Sequence, residues 1–173
     1  MKISITGTPG VGKTTIARML AKKLKMKYIN LNELAEKINA FDGYDDVLQA
    51  KIIDMKKLKK EVKKLKGNYV LDSHYSHFFD VDLVIVLRCR PDILLERLKK
   101  RYKNNQSKIK ENIDVEILGI ISSEVLESKK TFFEVDVSEK SKIEVLNEIL
   151  KKIDDCFKPK IIDWIQSGFE PSI

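Results

Sequence analysis

Long apolar runs are missing from this chain. Nowhere in its 173 residues does a stretch approach the ~18 consecutive apolar residues that a membrane-spanning helix needs. The opening MKISITG lacks the basic start, apolar centre and small-residue cleavage site of a secretory leader, so a cytoplasmic protein is expected. Cysteine is scarce. Cys89 and Cys156 stand far apart and neither belongs to a C-x-x-C pair, which points to reduced, packed thiols. Seven glycines and four prolines are too few for a collagen-like or low-complexity chain. Histidine occurs only at positions 74 and 77, and arginine only five times. Any guanidinium clamp on a phosphate must therefore come from Arg18, Arg88, Arg90, Arg97 or Arg101.

What is present has the balance of a globular domain, with 43% hydrophobic and 34% charged residues. The length suits one packed domain over residues 1–173. Lysine supplies 28 of the 33 cationic side chains, and the net charge of +7 permits contact with phosphates or RNA.

Apolar patterning alternates between strand and helix. KISIT (2–6), KYIN (27–30), YVLD (69–72), VDLVIVLR (81–88) and FFEVDV (132–137) read as strands, the fourth apolar almost throughout, as a central parallel strand should be. Between them, TTIARMLAKKLK (14–25) carries Ile16, Ala17, Leu20, Ala21 and Leu24 on one helix face. LNELAEKI reads as a short helix capped by Asn30 or Asn32. NAFDGYDD reads as a loop, and IIDMKKLKKEVKKLK as a helix stopped by Gly67-Asn68. Pro91 opens DILLERLKKRYK, a long helix follows near 109–128, and SKIEVLNEILKKI is another. IIDWIQ is expected to add a last amphipathic turn or two that packs Trp164 onto the sheet. Such alternation means an α/β fold, a five-stranded parallel sheet with helices on both faces.

GTPGVGKT (7–14) fits the phosphate-loop pattern G-x-x-x-x-G-K-[ST] at Gly7, Gly12, Lys13 and Thr14, between a strand ending at Thr6 and a helix beginning near Lys13. Glycines let backbone N–H groups converge on phosphate oxygens, and the helix N-terminus adds positive partial charge. Lys13 would reach the β- and γ-phosphates, and the Thr14 hydroxyl would ligate Mg2+. A nucleoside triphosphate is the expected ligand.

Both histidines lie in DSHYSHFF (72–79). Asp72 ends a strand and so faces the same crevice as the phosphate loop, where an acid acts on Mg2+ or its waters. His74 either faces that crevice, to orient a water or contact the γ-phosphate, or sits in the loop bonded to backbone. For His77 a structural role is expected. A zinc site from Asp72, His74 and His77 fits zinc poorly, being so tightly spaced and without cysteine. Arg97 and Arg101 are four apart on one helix face and are expected to close together over the phosphates. Arg88 ends a strand and is expected on the crevice side. The lysine-rich face Lys56, Lys57, Lys59, Lys60, Lys63 and Lys64 reads first as the solvated side of a helix, and second as a surface for RNA phosphates.

The N-terminal phosphate loop, the D-x-H of Asp72 and His74, KYIN, FDGYD (41–45), VLR followed by LLERLKKRY, and KIKENIDVEI (108–117) together resemble the adenylate kinase isoenzyme 6 family. The resemblance implies a fold like the nucleoside monophosphate kinases. It implies that Gly10, Val11, Gly12, Lys13, Thr14 and Thr15 bind ATP phosphates, with Arg101 and Lys140 also contacting the nucleotide. Asp72 and His74 are implied in turnover, Thr14 and Asp72 in holding Mg2+. Residues 30–53 would form the acceptor region, with contacts from Asp42, Gly43 and Tyr44, and residues 100–110 the lid. The family's adenylate kinase and ATPase activities are implied, with ATP and AMP as substrates. So are a small-subunit ribosomal protein and ribosomal RNA as partners, in small-subunit maturation. Two departures stand out: DVLQAKIIDMKK replaces a more acidic stretch, and Tyr102 follows Arg101 where the family has glycine. An assembly ATPase with water as acceptor, or a kinase for another small acceptor, remain the alternatives.

Overall fold

A computed structural model describes residues 1–45, 50–103, 105–154 and 161–172. Five strands form one parallel sheet: β1 (Lys2–Thr6), β2 (Lys27–Asn30), β5 (Tyr69–Asp72), β6 (Leu83–Arg88) and β7 (Phe132–Asp136), in the order β2-β5-β1-β6-β7. The expected sheet is therefore present, and its order reverses beside β1, where an open α/β sheet forms its ligand crevice. Strand residues alternate between two cores. Ile3, Ile5, Val70, Leu83, Ile85 and Leu87 face one, packed by α1 (Lys13–Lys23), α4 (Pro91–Tyr102) and α7 (Lys142–Asp154). Tyr69, Leu71, Val84 and Val86 face the other, under α2 (Leu31–Lys37), α3 (Met55–Val62) and α6 (Ile120–Glu127).

Three local readings change. NAFDGYDD is not a plain loop: β3 (Phe41–Asp45) and β4 (Ala50–Ile53) pair as an antiparallel hairpin. That pairing takes Ile52 and Ile53 from the expected helix, so α3 starts at Met55, capped by the Asp54 carboxylate on Lys57 N–H at 2.8 Å. The single helix near 109–128 is two, α5 (Gln106–Ile117) and α6, parted at Gly119 with φ +62°. That left-handed turn favours a glycine, and the Arg88 guanidinium fills the adjoining space. Asn30, not Asn32, caps α2, its side-chain oxygen accepting from Asn32 and Glu33 N–H.

The C-terminal stretch is a turn at residues 164–168 rather than a helix. Trp164 is buried as expected, but Ile161 and Ile165 are exposed. Cys89 is buried, and burial pushes its thiol up to about 11, which keeps it protonated; Cys156 lies outside the described residues. No helix among the described residues is long and apolar enough to cross a membrane.

Candidate active site

The phosphate loop leaves β1 at Thr6 and enters α1 at Lys13. Two glycines answer to close neighbours. A Cβ at Gly7 would stand 2.3 Å from the Leu87 carbonyl oxygen, and one at Gly10 would press at 3.0 Å on Leu94 and Leu98 of α4, so the loop sits down on both. Lys13 Nζ folds back on the loop, donating to the carbonyls of Gly7 (2.8 Å) and Thr8 (3.0 Å). Its pKa is lowered to about 8, by desolvation first; Arg101 adds to the shift, while Asp72 and Glu116 oppose it. Lys13 is only half-buried, so water in the crevice moderates the desolvation.

Asp72 is 2% exposed and anchors the crevice floor. Its Oδ2 accepts from Thr14 Oγ1 (2.7 Å), Tyr28 OH (2.8 Å) and Asn30 Nδ2 (3.3 Å). Tyr28 was not among the expected site residues, and Asn30 was only the first residue of the expected acceptor region, not a partner of Asp72. The signal for them lay in KYIN: residues two apart at the end of a strand share one face of the sheet.

These groups open into a cavity of about 740 Å³. Gly10, Gly12, Lys13, Thr14, Thr15, Asp72, His74 and Arg101 all line it, so the expected donor-side set converges. Lys108, Glu111 and Asn112 of α5 join them. The Arg101 guanidinium and Lys108 ammonium both stand over the Tyr102 ring, at 5.5 and 5.2 Å, so the residue in the glycine's place carries two cations on its faces. The lid is short: α4 ends at Tyr102 and α5 begins at Gln106, with Asn104 outside the described residues.

Other expected residues do not reach this cavity. The Val11 side chain is buried in the core, which leaves its backbone for the loop. Arg97 does not close beside Arg101. It lines a second groove, about 330 Å³, on the other side of the loop with Gly10, Thr15, Val137 and Lys140. One turn of helix between the two arginines straddles the loop, because Leu94 and Leu98 of the same helix pack against Gly10. Lys140 Nζ donates to Glu148 at 2.7 Å. Asp42, Gly43 and Tyr44 are exposed on the β3–β4 hairpin and do not line the cavity; residues 46–49 lie outside the described set.

Arg88 departs furthest from expectation. It is 2% exposed and does not line the cavity; its Nε donates to Glu116 Oε1 (2.8 Å), its Nη1 to Glu134 Oε1 (3.3 Å), Ser122 and the Ile162 carbonyl, and its Nη2 to the Glu116 carbonyl (2.7 Å). Glu116, also buried, accepts from Trp164 Nε1 (3.0 Å), Cys89 N–H (3.0 Å) and the Thr8 hydroxyl of the phosphate loop. This network bolts α5, β6 and the C-terminal turn to the loop from beneath.

The two histidines divide. His74 is exposed to the cavity, and its pKa is lowered to about 4, through desolvation first and then through Lys13, Lys108 and Arg101. Water reaching the ring moderates the first cause; the three cations act in either case. His77 is 1% exposed, with Nδ1 3.1 Å from Thr6 Oγ1 and Nε2 3.0 Å from Glu124 Oε2. Its ring is thus turned away from Asp72. No group of three or more metal-ligating side chains occurs among the described residues. Burial, with Lys130 and His74, lowers the His77 pKa from 6.5 to about 4. The unfolded chain therefore binds a proton that the folded one refuses, and stability is expected to fall as pH drops from about 6.5 towards 4. Melting curves across that window, compared with those of His77→Asn, check it: the variant should lose part of the slope.

A family profile described as an AAA domain matches residues 3–119. A protein of Pyrococcus furiosus named "Putative adenylate kinase" is 43% identical over 167 residues, spanning 95% of this chain and 91% of its own. One of the same name from Methanocaldococcus jannaschii is 38% identical over 175 residues, spanning 98% and 96%. Among solved structures, a deoxyadenosine kinase from M. mycoides superposes with a TM-score of 0.60 at 20% identity, over 89% of this chain and 99% of that one. A shikimate kinase from Bacteroides thetaiotaomicron does so at 0.56 and 17%, over 88% and 97%. These two share the fold, that of P-loop kinases of the nucleoside monophosphate kinase type. Near-full-length identity to the archaeal proteins, joined to the phosphate loop and the Asp72-x-His74 pair, makes this chain a member of the adenylate kinase isoenzyme 6 family of P-loop kinases.

Proposed function

We propose that the protein transfers the γ-phosphoryl group of Mg-ATP to AMP, giving two ADP, and hydrolyses ATP when water takes the acceptor's place. The observation that carries this reading is the convergence of Lys13, Thr14, Asp72, His74 and Arg101 on one cavity. Phosphoryl transfer asks for positioning and for positive charge around the transferred group. The loop N–H groups and Lys13 would hold the phosphates, and Arg101 would stand across from Lys13. Thr14 and Asp72, two oxygen donors 2.7 Å apart, fit a hard cation. Bound there, Mg2+ would neutralise charge between the β- and γ-phosphates. His74, neutral at physiological pH, would accept a hydrogen bond from the attacking hydroxyl or water and orient it. The second groove, with Arg97, Val137 and Lys140, would take the base of ATP.

One observation favours hydrolysis as a real share of turnover. The cavity's described cations, Lys13, Arg101 and Lys108, come from the loop and the lid, whereas Asn32, Tyr75, Phe78, Ile120 and Ile121 bring none for an acceptor phosphate. Product analysis with Mg-ATP, with and without AMP, tests the reading. AMP-dependent formation of two ADP per ATP supports phosphotransfer; ADP and phosphate release indifferent to AMP leaves only the ATPase. His74→Ala is expected to lower hydrolysis by about a hundredfold while changing nucleotide affinity little. Unchanged turnover in that variant would remove His74 from the chemistry.

A role in small ribosomal subunit maturation belongs to the same proposal, with a small-subunit ribosomal protein and ribosomal RNA as partners. It is supported by the family resemblance and by the exposed lysines of α3, Lys56, Lys59 and Lys60. Co-sedimentation with small subunits at graded salt tests it.

A further inference from the structure

His77 is a buried residue that the proposed chemistry does not use. Its surroundings form a chain: the Thr6 hydroxyl lies 3.1 Å from both the His74 carbonyl and His77 Nδ1, and His77 Nε2 lies 3.0 Å from Glu124 Oε2. With the ring neutral and Nε2–H donating to the carboxylate, Nδ1 is an acceptor that shares the single Thr6 hydroxyl proton with the His74 carbonyl. Glu124 stands on α6 and lines the main cavity, its side chain 39% exposed. The same cavity is lined by Tyr75, Phe78 and Val115, and by Ile120 and Ile121 one turn before Glu124 on α6. Apolar and aromatic walls suit the face of a nucleobase, not a phosphate, and a carboxylate among them repels phosphate further. Burial and Glu127 raise the Glu124 pKa, the direction expected of a carboxylate that water only partly solvates.

A carboxylate only accepts hydrogen bonds. With Oε2 engaged by His77, Oε1 remains for a ligand. That matches a single exocyclic amino group, whereas the paired N–H donors of a guanine edge call on both oxygens. We propose that Glu124, held by His77, selects the phosphoryl acceptor by taking one hydrogen bond from an exocyclic amine, so that the cavity accepts a 6-aminopurine monophosphate over the same purine without the amine. The inference rests on the acceptor reading above and adds the residue that reads the base.

The test compares AMP with purine riboside monophosphate, which lacks only the amino group, as acceptors for the whole protein and as ligands in calorimetry. Wild type should favour AMP by about tenfold in kcat/KM and in affinity, the scale of one hydrogen bond to a charged group. Glu124→Ala should bring both ratios near one. Glu124→Gln keeps the volume and a contact to His77, and should fall between them, because a neutral amide oxygen accepts more weakly. If AMP is phosphorylated and Glu124→Ala keeps the wild-type ratio, the inference falls and the acceptor reading stands. If AMP binds with the Glu124-dependent preference but is never phosphorylated, the acceptor reading falls, and with it the selection of an acceptor, while the hydrogen bond from the amine to Glu124 stands. Failure of wild type to bind AMP overturns both.

Discussion

Lys13→Ala is expected to lower ATP turnover by roughly a thousandfold, the scale of removing one charged stabiliser from a phosphoryl-transfer site. The side chain acts twice. In the free protein its ammonium ties together the carbonyls of Gly7 and Thr8, which holds the loop in shape. With nucleotide present it would exchange those carbonyls for phosphate oxygens, at the point where charge builds during transfer. Alanine loses both functions, so affinity for ATP should fall along with kcat. Steady-state kinetics with Mg-ATP and a direct ATP titration separate the two losses. A variant retaining more than a tenth of wild-type turnover would move the chemistry away from this loop.

Arg88→Met is expected to cost about 3–5 kcal/mol of stability, a fall in melting temperature of roughly 10 °C for a domain of this size. Methionine matches the length of the stem but leaves Glu116 and Glu134 buried without their cation. Arg88 also satisfies the carbonyl of Glu116 at the end of α5 and fills the space at Gly119, so the α5–α6 turn should loosen with it. Thermal melts and the acceptor KM together decide between this role and the strand-end expectation that Arg88 faces the crevice. A melt within a few degrees of wild type, paired with a raised acceptor KM, would return Arg88 to the substrate. Loss of stability without that kinetic signature fits the buried network.

The contrast between Asp72 and Arg88 explains what local pattern can tell. Both end a parallel strand, and both were expected in the crevice. Asp72 lies on the face covered by α1, where Thr14 meets it, and so lines the cavity. Arg88 follows Val84 and Val86 on the opposite face, beneath the α5–α6 turn, where Glu116 and Glu134 meet it. Strand position alone does not distinguish the two; the partners do, and they lie far away in sequence. His77 and His74 divide in the same way. Only three residues apart, one is committed to Thr6 and Glu124 while the other opens into the cavity. The break at Gly119 was hidden for a related reason. Apolar periodicity runs on through residues 109–128, and what stops the helix is a left-handed glycine packed against a buried guanidinium.

By itself the sequence determined the parallel sheet, its helices and the phosphate loop. Those depend on neighbours: alternation along a strand, one face of a helix, glycines and a lysine within eight consecutive residues. Tertiary structure alone decided that Arg101 lines the cavity while Arg88 is buried beneath it, which histidine opens into that cavity, and that a carboxylate on α6 joins its lining. A buried charge or imidazole settles where groups from distant segments can satisfy it, because an unpaired one is too costly to bury.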